Sequence, residues 1–187
     1  IRTGANGAEL IGEATVAMRG EREERLMPAI ETLLAGHHVA VGDLSAVACG
    51  AGPGSFTSLR IAASIAKGIA VACGVPLLVA PSPLLIVAGA AGVLPPGRYV
   101  AVIDAMRGDR FGLEVSVSPR GAVEVHGSAW LASAEEGRRR AESMGARLVG
   151  PGEDLPLAPH ARGFATVLAS GLALTVDVAG WEPDYGR

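Results

Sequence analysis

The stretch "GAGPGSFTSLRIAASIAKGIA", Gly50 to Ala70, decides how the chain is read. Three glycines and a proline separate an apolar run, "LSAVACG", from a long alanine-rich segment. A strand, a glycine turn and a helix N-terminus can make an anion site from backbone N–H groups and the helix dipole. The same arrangement can simply turn a strand into a helix on which something else packs. A P-loop ends in Gly-Lys-Ser/Thr, yet Ser55 follows Gly50 by five residues with no lysine nearby. A dinucleotide fingerprint has a third Gly or Ala where Thr57 stands, and an acidic residue where the next strand ends at Pro81-Ser82. Both named motifs fail. A less specific phosphate contact through Gly52, Gly54, Ser55, Thr57 and Arg60 stays open. Gly54, between Pro53 and the expected cap Ser55, is where a positive φ or a close approach is expected, which makes it a folding residue.

A helical wheel through the alanine-rich segment divides it. Leu59, Ile61, Ala62, Ile65, Ala66, Ile69 and Cys73 collect on one side, which is expected to pack on a sheet. Arg60, Ser64 and Lys67 lie opposite, with Phe56, Ala63, Ala70 and Val71 among them. A solvent face is usually richer in charge, and small residues admit a second helix. Isolated exposed Ala and Val are also ordinary, so composition leaves the two readings level.

The rest of the chain is globular. Of its 187 residues, 49% are hydrophobic and 19% charged, enough to build a core. Aromatics are 4%, so that core is aliphatic. A net charge of −3 predicts no general affinity for a nucleic acid backbone. Lys67 is the only lysine. Cys49 and Cys73 lie in apolar segments without a CxxC pair, as small buried hydrophobes do in a reducing compartment. No basic start followed by an apolar stretch and a cleavage site is seen. The uncharged run Gly68–Gly97 is long enough for a membrane span, but six Gly and Pro residues cut it into a strand, "VPLLVAP", and a helix, "SPLLIVAGAAG".

Ala8–Met18 alternates as a strand, and Glu21–Gly36 carries a helical stripe of Leu26, Ile30, Leu33 and Leu34, with Pro28 forcing a kink or a late start. Leu44–Gly50 reads as a strand buried on both faces. After Pro95-Pro96-Gly97 the pattern changes. "RYVAVIDAM", "RFGLEVSVS" and "AVEVHGSAW" read as an antiparallel meander. A charged helix follows, with Ser133 as N-cap and Glu136 completing a capping box. Then come a short strand, "ARLVGPG", and a last helix, "APHARGFATVLASGLAL". The tail "WEPDYGR" has no period.

"GPGSFTSLRIAASIAKGIA" closely resembles the signature segment of the TsaB (YeaZ) family, roughly Gly-Pro-Gly-Ser-Phe-Thr-Gly-Leu-Arg followed by a helix ending Ala-Lys-Gly-(Leu/Ile)-Ala. "ERLMPAIETLL", "VIDAMRGDRFG" and "WEPDYGR" resemble its first helix, its Asp-Ala-Arg strand and its Pro-x-Tyr-x-Arg tail. Ser58 departs from the family's Gly and Met106 from its Arg, and the family's first strand, with its Asp-Thr-Ser-like motif, is absent from Ile1 onward. The resemblance implies an α/β, two-lobed actin-like ATPase (ASKHA, RNase H-like) fold, with residues 1–96 as an N-terminal RNase H-like lobe and 97–187 as a smaller C-terminal lobe. It implies a cytoplasmic, non-catalytic dimerisation subunit in the making of threonylcarbamoyladenosine in tRNA. The implied partners are a TsaD-like catalytic subunit, which carries the metal, and a TsaE-like ATPase. tRNA is met only through the complex, and no membrane is involved. No cofactor is held tightly, and ATP or ADP is met only with a partner. Alone, such chains form homodimers through the same helical face. Here that face is expected to hold Ala63, Ser64, Lys67, Ala70 and Val71, with Met27 and Leu34 from the preceding helix.

Catalytic constellations are not visible in the sequence. His37 and His38 are adjacent, His126 and His160 are isolated, and there is no HxxxH or HExxH. No serine sits in a nucleophile elbow. Asp104, at a strand end, is the one carboxylate in a catalytic-looking place; a cap or turn role with Arg107 or nearby N–H groups is the simpler reading. The rival function is an ATPase or small-molecule kinase of the same fold using the Gly52–Thr57 loop for phosphate.

Overall fold

The computed structural model describes residues 1–5, 7–16, 25–105 and 108–186. It opens with a small antiparallel pair, β1 (Arg2–Gly4) and β2 (Gly7–Glu9). The alternation expected over Ala8–Met18 is realised only at its start, because residues 10–16 pair with no strand; residues 17 and 18 lie outside the described residues. Helix α1 (Leu26–Gly36) begins late, with Pro28 in its first turn, where a missing N–H breaks no helical bond. The residues expected to precede it, 21–24, lie outside the described set.

Strand β3 (Val47–Gly50) runs into the glycine loop and then α2 (Phe56–Cys73). The helix stops at Gly74, whose φ of +65° is the left-handed cap that glycine provides. The chain returns through β4 (Leu77–Ala80), parallel to β3, and α3 (Ser82–Ala90). The meander follows: β5 (Gly97–Asp104), β6 (Asp109–Val117) and β7 (Val123–Ser133), all antiparallel. Helix α4 (Ala134–Ser143) is capped by Ser133, whose Oγ accepts the Glu136 N–H at 3.2 Å. Strand β8 (Arg147–Val149) pairs parallel to β5, and α5 (Gly163–Ala169) follows. Helix α5 is shorter than the sequence suggests. Its expected last residue, Leu174, instead opens β9 (Leu174–Val176), which crosses back to pair antiparallel with β4.

Two main sheets result, β3-β4-β9 and β7-β6-β5-β8. The larger is covered on both faces, which is why β5 reads as an unbroken apolar run. Tyr99, Ala101 and Ile103 join the cluster built around α3 and α5. Val100 and Val102 point the other way, against Ala141 of α4 and Leu148. Helix α3 is buried almost all round, packed between α5 and this sheet, as its uniformly apolar sequence requires. The turn at 95–97 links the halves of the chain, and β9 carries the second half back to the first sheet. Strand β3 differs from expectation: Ala48 is exposed, because β3 is the edge of its sheet and carries no strand on its outer side among the described residues.

One buried charge ties the larger sheet to the loop after β8. The Glu153 carboxylate is 6% exposed and accepts the Arg110 Nε–H at 3.0 Å, while Arg110 Nη1 donates to Asp104 Oδ1 at 2.8 Å. Removing Arg110 leaves the buried Glu153 carboxylate only the longer pair with Arg138 Nη2, at 3.9 Å. Arg110→Met should cost about 3 kcal/mol of unfolding free energy in urea titration. The double variant Arg110→Met/Glu153→Leu should recover a large part of that loss.

Candidate functional site

The glycine loop is shaped by the tail of the same chain. The Ala51 N–H donates to the Ala80 carbonyl at 2.8 Å, and the Ser82 N–H donates to the Gly52 carbonyl at 2.7 Å, anchoring the loop to the end of β4. On its other side the Asp184 N–H donates to the Ala51 carbonyl at 2.7 Å. Gly52 has φ +90°, and a Cβ placed on it would overlap the backbone carbonyl oxygen of Asp184. The positive φ and the close approach are therefore at Gly52. Gly54 has neither, and its expected role passes to its neighbour two residues earlier. The space beside the Gly52 Cα is filled by a carbonyl oxygen, which repels a phosphate.

Ser55 occupies the N-cap position of α2, but its side chain caps no backbone N–H; its Oγ accepts from Ser58 Oγ at 3.2 Å. Thr57 is exposed beside it. Arg60 lies over the Phe56 ring, 5.2 Å from its centroid, and Phe56 in turn packs against Tyr185 of the tail at 4.9 Å. The residues expected to touch phosphate thus lie together, but arranged around the tail.

Helix α2 is rotated relative to the wheel expectation. Ala63 (5% exposed), Ala66 and Ala70 (1%) are its buried residues, and Ala66 and Ala70 pack with Cys49, Leu77 and Val79 on the sheet. Ala63 and Ala70 therefore belong to the core face and are corrected out of the outer one. Small side chains are needed there because the helix lies close to the strands. Ile65 and Ile69, expected on the sheet, instead line an apolar groove beside β3, opposite Leu26, Ile30 and Leu33 of α1. Ser64 and Val71 are on the outside as expected, Val71 at 69% exposure. Lys67 is half-buried and committed: its Nζ donates to the Trp181 carbonyl at 2.9 Å. Met27 and Leu34 of α1 are half-buried. The sequence carried one signal for the tail's role, the unpatterned "WEPDYGR"; the structure of its last residue, Arg187, lies outside the described set.

Asp104 pairs with Arg110 as described above; Arg107, its expected partner, and Met106 lie outside the described residues. Among the described residues no three His, Cys, Asp or Glu side chains form a metal-holding group. Helix α2 is the one described helix long and apolar enough to cross a membrane by length and composition. Its alanine stripe is spent on the sheet.

Two solved structures from Pseudomonas aeruginosa share this arrangement. YeaZ superposes with a TM-score of 0.69 at 26% identity, covering 86% of this chain and 82% of that one. A protein described as similar to peptidase YEAZ gives 0.70 at 25%, covering 87% and 83%. A family model described as TsaD, tRNA N6-adenosine threonylcarbamoyltransferase, matches residues 17–113, just over half of the 187. Curated relatives are the tRNA threonylcarbamoyladenosine biosynthesis protein TsaB of Escherichia coli K12, 32% identical over 94 residues, and that of Haemophilus influenzae, 38% over 55. The chain belongs to the TsaB (YeaZ) family, within the wider TsaD group. Its fold is the actin-like, ASKHA-type α/β fold of that family. The matched stretches cover 50% and 29% of this chain, and only 41% and 23% of the E. coli and H. influenzae TsaB proteins.

Cys49, at the end of the apolar run before the signature loop, is buried, and burial pushes its thiol up from 9.0 to about 11. Its neutral form is the one the fold favours, so the unfolded chain releases this proton first as pH rises. Stability should fall between pH 9 and 11 by about 2 kcal/mol from this group. Denaturant titrations across that range should show a smaller fall in Cys49→Ala.

Proposed function

We propose that the chain is a non-catalytic scaffold subunit of a cytoplasmic complex that forms threonylcarbamoyladenosine in tRNA. It binds and activates a TsaD-like catalytic subunit, works with a TsaE-like ATPase, and pairs with itself when alone. tRNA is engaged through the complex, and nucleotide is held by the partners. The observation that carries this reading is the combination at α2. At the glycine loop that a kinase or ATPase would use, the tail carbonyl of Asp184 lies against Gly52. Meanwhile α2 keeps an outward stripe of Thr57, Arg60, Ser64, Gly68 and Val71 exposed, with one charge in four turns. An almost uncharged exposed helix stripe suits a helix–helix interface better than water. The TsaB relatives support the pathway by name.

Reconstitution tests it. Catalytic subunit, ATPase, tRNA, ATP and a separately prepared activated threonylcarbamoyl donor should yield modified adenosine only when this chain is added, and the chain alone should yield none. Full activity without it would remove the proposal. For the surface, Val71→Glu should leave the circular dichroism spectrum unchanged and weaken binding to the catalytic subunit by about 2 kcal/mol in calorimetry, as at a hot spot. Ala63→Glu should instead unfold the chain, since Ala63 is buried at 5% exposure and has no room for an unpaired charge.

A further inference from the structure

The segment Trp181–Gly186 has no regular structure, yet it touches three parts of the fold in six residues. At its start the Trp181 carbonyl accepts the Lys67 ammonium from the middle of α2, and the Trp181 N–H donates to the Asp177 carbonyl at 2.9 Å. In its middle Pro183 is buried, and Asp184 bonds to Ala51 and lies against Gly52. Tyr185 meets Phe56 at the first turn of α2. At its end Gly186, with φ +69°, lies so close to the Phe111 ring of β6 that a Cβ would overlap it; its N–H donates to Asp184 Oδ1 at 2.8 Å. The path thus runs along one flank of α2, over the loop that launches the helix, and onto the other sheet.

On α2 the residues that meet this segment, Phe56 and Lys67, are one step around the helix from the exposed stripe of Arg60, Ser64 and Val71. The opposite flank, with Ile65 and Ile69, lines the groove. The pitch of α2 is therefore fixed by the alanine stripe beneath it and by the tail on one side.

We propose that Trp181–Gly186 is a conformational strap whose docking on the glycine loop, Lys67 and Phe111 holds α2 in the orientation that presents its outer stripe, so that strap docking and association with the catalytic subunit are coupled. The inference rests on the scaffold reading above and adds its regulation. With the strap docked, the stripe is pre-organised and association has no ordering cost there; with it released, the first turn of α2 loses Tyr185 and the loop loses its Asp184 contact. Because coupling is reciprocal, partner binding must tighten the strap by the factor by which the strap tightens partner binding.

Trp181 reports the strap directly. In a Trp130→Phe background it is the only indole, and acrylamide quenching measures its exposure. Gly186→Val is the main variant, because its clash is with Phe111, remote from the α2 stripe. Lys67→Met removes the donor to Trp181, and Lys67→Arg retains one. Gly186→Val and Lys67→Met should both raise Trp181 quenching and raise the dissociation constant for the catalytic subunit about ten-fold, a usual size for coupling. Lys67→Arg should restore much of both. Saturating catalytic subunit should lower Trp181 quenching in both variants. Higher quenching with unchanged affinity would overturn the strap and leave the scaffold reading standing. Unchanged quenching in both variants would overturn the docking itself. A background protein that does not bind the catalytic subunit at all would overturn both readings together, and calorimetry separates that case from the others.

Discussion

The contact on which the signature loop depends is the approach of the Asp184 carbonyl to Gly52, closed by the hydrogen bond from the Asp184 N–H to the Ala51 carbonyl. Only a residue without a Cβ leaves room for that oxygen, and only glycine adopts φ +90° without strain. The loop is fastened on its other side to Ala80 and Ser82. It is therefore clamped between the end of β4 and the tail, and its departure angle sets where α2 begins. The question raised by three glycines ahead of a helix is answered by packing of the chain on itself.

From that clamp follow the properties of α2. Ala66 and Ala70 seat the helix close over β3 and β4, which larger side chains would prevent, with Ala63 buried beside them. Once that face is fixed, the remaining positions sort by geometry: Phe56 and Lys67 toward the tail, Ile65 and Ile69 toward α1, and Arg60, Ser64 and Val71 outward. The single lysine of the chain is used to hold a backbone carbonyl, so its position in the signature segment has a structural reason.

Much of the fold was legible because its elements have strong local signals. The meander, the capping of α4 by Ser133, the late start of α1 with Pro28 in its first turn and the strand–helix split at Pro81 all rest on period, caps and breakers that act over a few residues. What the sequence hid is non-local. Alanine is equally plausible inside or outside, so the wheel through α2 placed larger Ile residues on the sheet and turned the helix by part of a turn. Three-residue β9 has no pattern of its own; pairing with β4 defines it. Gly54 and Gly52 look alike in sequence, and only the arrival of Asp184, far along the chain, separates them. Arg110 and Glu153 are likewise a pair made by the fold. The family, by contrast, was carried by one contiguous segment and could be read directly.

Amide hydrogen exchange at Asp184 tests the clamp most directly. With its N–H held by Ala51 in the folded protein, exchange should be slowed by orders of magnitude relative to an unstructured chain, and Gly52→Ala should abolish that protection while the amides of β5 stay protected. An Asp184 amide that exchanges at the unstructured rate in the native protein would contradict the account, because the loop would then owe its shape to something other than the tail.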